Sequence, residues 1–408
     1  MDIEKEIISD SNINYYLSSI KGKEKSKYSK VIKCKIKCFK IIFYIAIITT
    51  IIFIIKHNSL SQIKQREELT NIFLNLKTIT NNQQQQLNQT NKMILWLYNK
   101  ISVNNNQYQI FTQIINQKQK EELNFFCDNL NFLSNNEFEN QIRKVNVDFN
   151  KKIYDMFIFL DSDAVSNSIA KSKNWESYST LKILEALNFY TNKTHLKNED
   201  LYILDIGANI GWYSFYLGKN GYNIMSFEPT EINFYILRKN YCLNRDINIT
   251  IINKGLYTSE EVCDYYEHIG NKGNGMVICH QRNDIPIYLK KTKTQIILTK
   301  LSNFIPFLSD KNVTFIKIDI EGAEEAAIIS GIELISKYHV PFILMEYYPN
   351  HLRMHDVNNT KFLQIFENNG YKISKSSFLD KNFVSIKDLA NVKNFINLYI
   401  IYTKILMQ

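Results

Sequence analysis

The chain has 408 residues, 45% of them apolar, which is enough for a packed core and for two or three structural regions. Its net charge of +9 does not indicate a nucleic-acid-binding protein, because nine lysines and a single acid fall between Lys21 and Lys40. The excess charge belongs to that one segment, and the rest of the chain is nearly balanced.

Residues 41–55 form an apolar run without a charged side chain, IIFYIAIITTIIFII. As a helix this run extends about 22 Å, less than the ~30 Å of a bilayer core, but Cys38, Phe39 and the snorkelling Lys40 and Lys56 lengthen it. A buried helix of a soluble domain is the alternative, yet the run is apolar on every face and follows the lysine cluster. Because forty residues precede it, we predict an uncleaved signal anchor.

The lysine cluster predicts the orientation of this anchor. Cytoplasmic flanks carry the excess of lysine and arginine, so residues 1–40 are expected to form a cytosolic basic tail. The bulk of the chain would then face the lumen of the endoplasmic reticulum or Golgi, as in a single-pass type II membrane protein. A domain that faces the cytosol is the alternative.

Glycosylation sequons and cysteines bear on the same question. Sequons begin at Asn88, Asn192, Asn248, Asn312 and Asn358, although an asparagine-rich chain also produces sequons by chance. Cys34 and Cys38 lie in the cytosolic tail, as candidates for palmitoylation. The other four cysteines would lie in the lumen, where they either pair or remain buried thiols: Cys127, Cys242, Cys263 and Cys279.

Residues 56–150 are rich in asparagine and glutamine and contain no proline or glycine. Between Leu69 and Leu97, steps of three and four residues mark a heptad seam with a polar middle. This pattern predicts a helical stem, a coiled coil through which two copies of the chain could form a homodimer. A loosely ordered polar spacer explains the same composition.

Residues 151–408 alternate between apolar strand-like runs and amphipathic helical runs. The predicted strands are 154–160, 201–206, 222–229, 248–256, 313–322 and 340–349, and the predicted helices are 178–190, 231–244 and 323–338. Two late segments, 371–378 and 397–404, are expected to close the sheet as an antiparallel hairpin. The alternation indicates an α/β fold with a wound, mostly parallel, Rossmann-like sheet.

The segment LDIGANIG, residues 204–211, predicts a ligand-binding turn between the second strand and a helix. Glu228 ends the following strand, 21 residues after Gly207, where an acid can bind a ribose. A dinucleotide fingerprint has glycine at the positions of Asn209 and Trp212, so this turn favours a nucleoside without a pyrophosphate, such as S-adenosylmethionine. The predicted cofactor-binding residues here are Asp205, Gly207, Asn209, Gly211 and Glu228.

Several segments, in this order and spacing, resemble the FkbM family of S-adenosylmethionine-dependent methyltransferases. They are NWE at 174–176, LDIGANIGWYSFYLGKNG, SFEPT, NKGL, TKLSNF, FIKIDIEGAEEAAIISG and PFILMEY. The resemblance covers about residues 150–405 and implies a class I methyltransferase fold that methylates a hydroxyl on a sugar or natural product. It also adds Glu176, in the NWE segment, to the predicted cofactor site.

The residues predicted to act on the acceptor are Lys317, Asp319 and Glu321, which alternate along one strand and should lean to one side of it. An acceptor hydroxyl needs a base or a cation that stabilises the developing oxyanion. A lysine in an apolar strand needs a partner, and Asp319 is the natural one, so a purely structural ion pair remains the alternative for Lys317.

Weaker candidates are His268, His280 and Glu346, together with the loop at 271–276, which could cover the substrate. No metal site is expected, because Cys263 and Cys279 are not part of a CxxC motif. The acceptor is expected to be a glycan or small molecule, with no nucleic-acid partner. The alternative functions are a nicotinamide oxidoreductase and a catalytically inactive, membrane-tethered binding module.

Overall fold

The computed structural model describes residues 119–130, 135–161, 163–280, 282–308 and 310–407. The predicted basic tail, the anchor at 41–55 and the heptad seam of the stem lie outside these residues. Within the described ranges, no helix combines the length and the apolar character needed to cross a bilayer.

Thirteen strands and ten α-helices are described, besides residues 119–128, which are also helical. The strands are β1 (Ile142–Phe149), β2 (Lys152–Phe159), β3 (Leu201–Ile206), β4 (Asn223–Phe227), β5 (Ile249–Ile252), β6 (Gly255–Leu256), β7 (Val262–His268), β8 (Gly275–Ile278), β9 (Leu289–Thr299), β10 (Asn312–Ile318), β11 (Phe342–Tyr347), β12 (Tyr371–Ser374) and β13 (Ile396–Tyr402). The helices are α1 (Asn136–Glu139), α2 (Ala164–Ser172), α3 (Ser177–Thr194), α4 (Trp212–Lys219), α5 (Glu231–Leu243), α6 (Glu324–Tyr338), α7 (Pro349–Arg353), α8 (Asn359–Asn368), α9 (Ile386–Ala390) and α10 (Lys404–Met407). Two 3-10 helices span Asn198–Asp200 and Leu301–Leu308.

A seven-stranded sheet forms the centre, in the order β12-β13-β11-β10-β3-β4-β5. The five strands from β11 to β5 are parallel, and β13 is antiparallel to both of its neighbours. Chain order reverses between β3 and β10, which is where open α/β sheets bind ligands. The predicted α/β sheet and its terminal antiparallel hairpin are confirmed.

The central strands are buried because both faces of the sheet are covered, as is usual for parallel strands. Side chains alternate between two apolar clusters along each strand: Ile203 and Phe315 face one cluster, and Leu204 and Ile316 face the other. This double burial explains why β3 and β10 read as continuous apolar runs in the sequence.

The folded unit begins before residue 150, the boundary between stem and domain that the sequence suggested. Residues 150 and 151 form the turn of the β1–β2 hairpin, and this hairpin is separate from the central sheet. The helical residues 119–128 pack Leu123 and Phe126 into one of the two clusters. A disulfide between Cys127 and Cys242 fixes this segment to α5.

A second sheet, in the order β6-β9-β7-β8, follows β5 and projects a hairpin toward the carboxyl ends of the central strands. A disulfide between Cys263 and Cys279 joins β7 to the residue that follows β8, at the open end of this hairpin. All four cysteines of the described residues are therefore paired, which decides between the two alternatives that the sequence left open.

Candidate active site

A cavity of about 390 Å³ lies at the carboxyl ends of β3, β4, β10 and β11. Its wall includes residues that follow or end these four strands: Gly207, Glu228, Asp319 and Glu346. These positions come from distant parts of the chain, and the parallel sheet brings them to one edge. The cavity therefore occupies the switch point at which α/β folds bind ligands.

The turn after β3 carries two of the predicted cofactor residues. Gly207 has a φ of 77°, and a Cβ on it would lie 1.9 Å from the carbonyl oxygen of Asp319, so only glycine fits between the two strand ends. Asn209 also has a left-handed φ, 52°, and its backbone N–H donates to Oε2 of Glu228 at 2.9 Å. Gly211 is the N-cap residue that precedes α4, and it does not line the cavity.

Glu228, directly after the end of β4, is buried. The residue is only 4% exposed. Its Oε1 accepts hydrogen bonds from the backbone N–H and the hydroxyl of Thr230. Asn233 adds a longer contact of 3.5 Å to the same oxygen. Burial raises the pKa of Glu228, although these donors oppose the shift. Oε2, with one donor, keeps a lone pair for a ribose hydroxyl.

Lys317 is the basic residue among the described residues that line the cavity. Its Nζ donates to the carbonyl oxygen of Gly207 at 2.7 Å and lies 3.3 Å from Oδ2 of Asp319 and 4.0 Å from Oδ1 of Asp205. Burial by itself would lower the pKa of Lys317, but Asp319, Asp205 and Glu176 outweigh it and raise the pKa. Lys317 therefore stays protonated at neutral pH.

Asp205 lies behind Lys317 and outside the cavity wall, so a direct contact with the cofactor, as predicted from the sequence, does not follow from its position. It is 1% exposed, and its Oδ2 accepts a hydrogen bond from Ser214 at 2.6 Å. Burial raises the pKa of Asp205, while Lys317 opposes that shift. Asp205 therefore acts on Lys317, whose protonated form it stabilises from a distance of 4.0 Å.

Three carboxyl groups cluster beside Lys317. Single oxygens of Asp319, Glu321 and Glu346 lie within 4.8 Å of one another, a set that could hold a cation. Burial, followed by repulsion from Asp319 and Glu321, raises the pKa of Glu346 far above its ordinary value, so Glu346 holds a proton at neutral pH. The expected absence of a metal stays a prediction.

The turn that carries Asp319 and Glu321 is held by side chains of α7 and α6. Glu321 has a φ of 56°, and its Oε2 lies 2.8 Å from Nδ1 of His351, in the middle of the short helix α7. Glu324, 2% exposed, accepts hydrogen bonds from the backbone N–H groups of Ile320 and Gly322. Burial raises the pKa of Glu324 to about 7. These contacts fix a turn of otherwise unfavourable backbone conformation.

Glu176 lines the cavity at the same end as Lys317. Its φ of 41° is left-handed, and its Oε2 accepts a hydrogen bond from the hydroxyl of Tyr213 at 2.5 Å. Burial raises the pKa of Glu176, and the bond from Tyr213 opposes the shift. Glu176 interacts electrostatically with Lys317 and Asp319.

Residues 205–373 match the family model of the methyltransferase FkbM domain. The chain contains an FkbM methyltransferase domain. The resemblance inferred from the motifs is thereby confirmed over these residues, and the match supports an S-adenosylmethionine-dependent methyltransferase. Its sheet order and terminal antiparallel hairpin are those of the class I methyltransferase fold that the resemblance implied.

Solved structures similar to the chain are distant from it. The precorrin-6y C5,15-methyltransferase of Geobacter metallireducens is 13% identical over 56% of this chain and 92% of that chain, with a TM-score of 0.29. The 16S rRNA N2 G1207 methyltransferase of T. thermophilus is 10% identical over 64% of this chain and 50% of that chain, with a TM-score of 0.31. Likenesses this distant say nothing about substrate. The search of the curated proteins found no match.

The cavity of the FkbM domain also contains residues that sequence reasoning missed. Asp163, 1% exposed, caps α2 and accepts a hydrogen bond from the backbone N–H of Gly273. An aspartate before a helix is a recognisable capping signal, but nothing in the sequence indicates its contact with a residue 110 positions away. His351 had no signal at all. Of the weaker candidates, Glu346 lines the cavity, whereas His268 and His280 do not.

Proposed function

We propose that the FkbM domain transfers a methyl group from S-adenosylmethionine to a hydroxyl of a glycan or small polyol. The observation that carries this proposal is that one cavity contains both Glu228, at a ribose-binding position, and the Lys317–Asp319–Glu321 group. Gly207, Asn209 and Glu228 would hold the nucleoside, and Glu176 lies toward the other end of the cofactor. A methyl donor in this position would lie between the two groups.

When bound, S-adenosylmethionine supplies an electrophilic methyl group, whose bond to sulfur breaks as the acceptor oxygen attacks. The protein must take the hydroxyl proton, and the protonated states restrict which residue can do so. Lys317 is already charged and Glu346 already holds a proton, so neither serves as a base. Asp319 or Glu321 accepts the proton, and Lys317 stabilises the developing negative charge on oxygen.

The cavity wall favours an uncharged, hydroxylated acceptor. Among the described residues that line it, six carry carboxyl groups (Asp163, Glu176, Glu228, Asp319, Glu321 and Glu346) and one, Lys317, is basic. Even with Glu346 protonated, this excess of carboxyl groups over one lysine disfavours phosphate and so argues against nucleic acids. Trp175, Tyr257 and Phe395 contribute aromatic surface for the apolar faces of a sugar, and carboxylates accept hydrogen bonds from hydroxyls.

The test is incubation of the full-length protein with labelled S-adenosylmethionine and a panel of neutral glycans, polyols, phosphorylated sugars and RNA. Label is expected in neutral hydroxylated acceptors and is expected to fall by roughly 100-fold or more in Asp319→Asn. Binding of the cofactor without transfer to any acceptor would favour the alternative of an inactive binding module.

We also propose that the domain folds in the lumen, tethered by the 41–55 anchor and by a stem at 56–150 that can join two copies. Two disulfides support an oxidising compartment. The sequon asparagines of the described residues are all exposed, namely Asn192, Asn248, Asn312 and Asn358. Expression in eukaryotic cells should give a protein whose mobility changes on treatment with a peptide N-glycosidase. An unmodified protein with free thiols would favour the cytosolic orientation.

A further inference from the structure

The connection between β7 and β8 reaches the cavity and is bonded to three separate parts of the fold. The backbone N–H of Ala164 donates to Oδ1 of Asn271 at 2.9 Å, and the backbone N–H of Gly273 donates to Oδ1 of Asp163 at 3.2 Å. The side-chain amides of Asn209 and Asn233 each donate to the carbonyl oxygen of Gly273 at 3.0 Å.

These contacts place residues 271–274 over the ribose end of the cavity. Asn271, Gly273 and Asn274 line the cavity, and Asn209 and Asn233 also contact Glu228. Glu228 is only 4% exposed beneath this cover. Movement of this cover would widen the path along which a nucleoside reaches the Glu228 carboxylate.

Asn209 joins the cover to the carboxylate. Its backbone N–H binds Glu228 while its side chain binds Gly273. The left-handed backbone at 209 suits glycine, and among residues with a side chain asparagine tolerates it best. Asparagine in place of the middle glycine of a dinucleotide fingerprint thus adds an amide that reaches the cover without backbone strain.

We propose that residues 271–274 are a lid over the adenosine of S-adenosylmethionine, and that Asn209 is the positioning residue that couples lid closure to Glu228. This inference rests on the proposed function, because it takes S-adenosylmethionine as the ligand. The consequence is kinetic. The contact between Asn209 and the lid controls how fast the cofactor dissociates, and this contact takes no part in the chemistry of methyl transfer.

The first test measures dissociation of labelled S-adenosylmethionine from the full-length protein after addition of excess unlabelled compound. Asn209→Gly keeps the left-handed backbone and the N–H to Glu228 but removes the amide, so dissociation should be roughly 2- to 10-fold faster. Gly273→Ala should have a larger effect, because a Cβ there would lie 2.4 Å from Oδ1 of Asp163 and push the loop away. In both variants the association rate should be unchanged or higher.

Lys272→Ala is the matched control within the loop. Its ion pair with Asp161, at 3.3 Å, is largely exposed and contributes little to holding the loop. Dissociation from this variant should equal that of the wild type. Thermal melts of all variants identify any that do not fold.

A second measurement needs no acceptor and no methyl transfer. Hydrogen exchange of the amides of 271–274 should be slow in the wild type, slower with S-adenosylmethionine, and faster in cofactor-free Asn209→Gly. Wild-type dissociation rates and exchange in both Asn209→Gly and Gly273→Ala would overturn the lid while leaving the proposed function intact. Failure of the wild type to bind S-adenosylmethionine would overturn the proposed function and the lid with it.

Discussion

Replacement of Glu228 tests the cofactor site most directly, because the proposed function gives this carboxylate a binding role and its hydrogen bonds give it a structural one. In the wild type the backbone N–H of Asn209 donates to Oε2 of Glu228. In Glu228→Gln an amide NH2 replaces this oxygen, so two donors face each other. A ribose hydroxyl also loses its charged acceptor on Oε2. One charge-assisted hydrogen bond contributes ~1.5–3 kcal/mol, so affinity for S-adenosylmethionine should fall roughly 10- to 150-fold.

Glu228→Ala should in addition destabilise the fold. Removal of the carboxylate leaves the backbone N–H groups of Asn209 and Thr230 and the Thr230 hydroxyl without their acceptor. Unsatisfied buried groups cost ~1–3 kcal/mol each, but relief of the buried charge, visible in the raised pKa of Glu228, offsets part of this cost. A net loss of about 1–4 kcal/mol in the free energy of unfolding is expected.

The assay is calorimetric titration of S-adenosylmethionine into the full-length protein, with urea unfolding of the same samples. Glu231→Gln is the control, since Glu231 is exposed in the first turn of α5 and three residues from Glu228. It should leave affinity unchanged. The reasoning would be refuted by a Glu228→Gln variant that binds as tightly as the wild type, together with a Glu228→Ala variant that unfolds at the same urea concentration.

Three further predictions concern other parts of the FkbM domain. Lys317→Met should abolish methyl transfer and leave Asp205 and Asp319 without a cation, lowering the free energy of unfolding by ~3–5 kcal/mol in urea titrations; wild-type turnover would contradict this. Glu324, with a folded pKa of about 7 against 4.5 unfolded, holds its proton longer in the folded state, so stability should fall by about 3 kcal/mol as pH rises from 4.5 to 7. Urea unfolding across this range should give a flatter profile for Glu324→Gln, and identical profiles would argue against it. The Cys127–Cys242 disulfide joins residues 115 positions apart, and its loss should lower the free energy of unfolding by about 2–5 kcal/mol in the same urea titrations. Full stability of the double serine variant would show that α5 does not need this crosslink.

Local sequence patterns sufficed for the elements whose environment is uniform along their length. Strands β3 and β10 are buried on both faces and therefore appear as continuous apolar runs, and the β12–β13 hairpin appears as two short apolar segments near the end of the domain. Gly207 and Asn209 were predicted at a strand-to-helix turn, and both have left-handed backbones there.

Contacts between distant segments were beyond local patterns. The β1–β2 hairpin and residues 119–128 belong to the folded unit because Phe126 packs in its core and Cys127 bonds to Cys242, 115 residues later. The contact of Asn209 and Asn233 with Gly273 likewise joins the central sheet to a loop of the second sheet, 64 and 40 residues farther along the chain.

The sequence by itself determined the order of the strands of the central sheet, the family and the residues at the carboxyl ends of those strands, because periodicity and turn chemistry are local properties. It did not predict the second sheet. Only the tertiary structure decided how those residues share protons and charge. Lys317 stays charged because Asp205, Asp319 and Glu176 surround it, and Glu346 keeps its proton because burial and neighbouring carboxylates oppose its ionisation. Such states depend on distances of a few ångströms between segments that folding alone brings together.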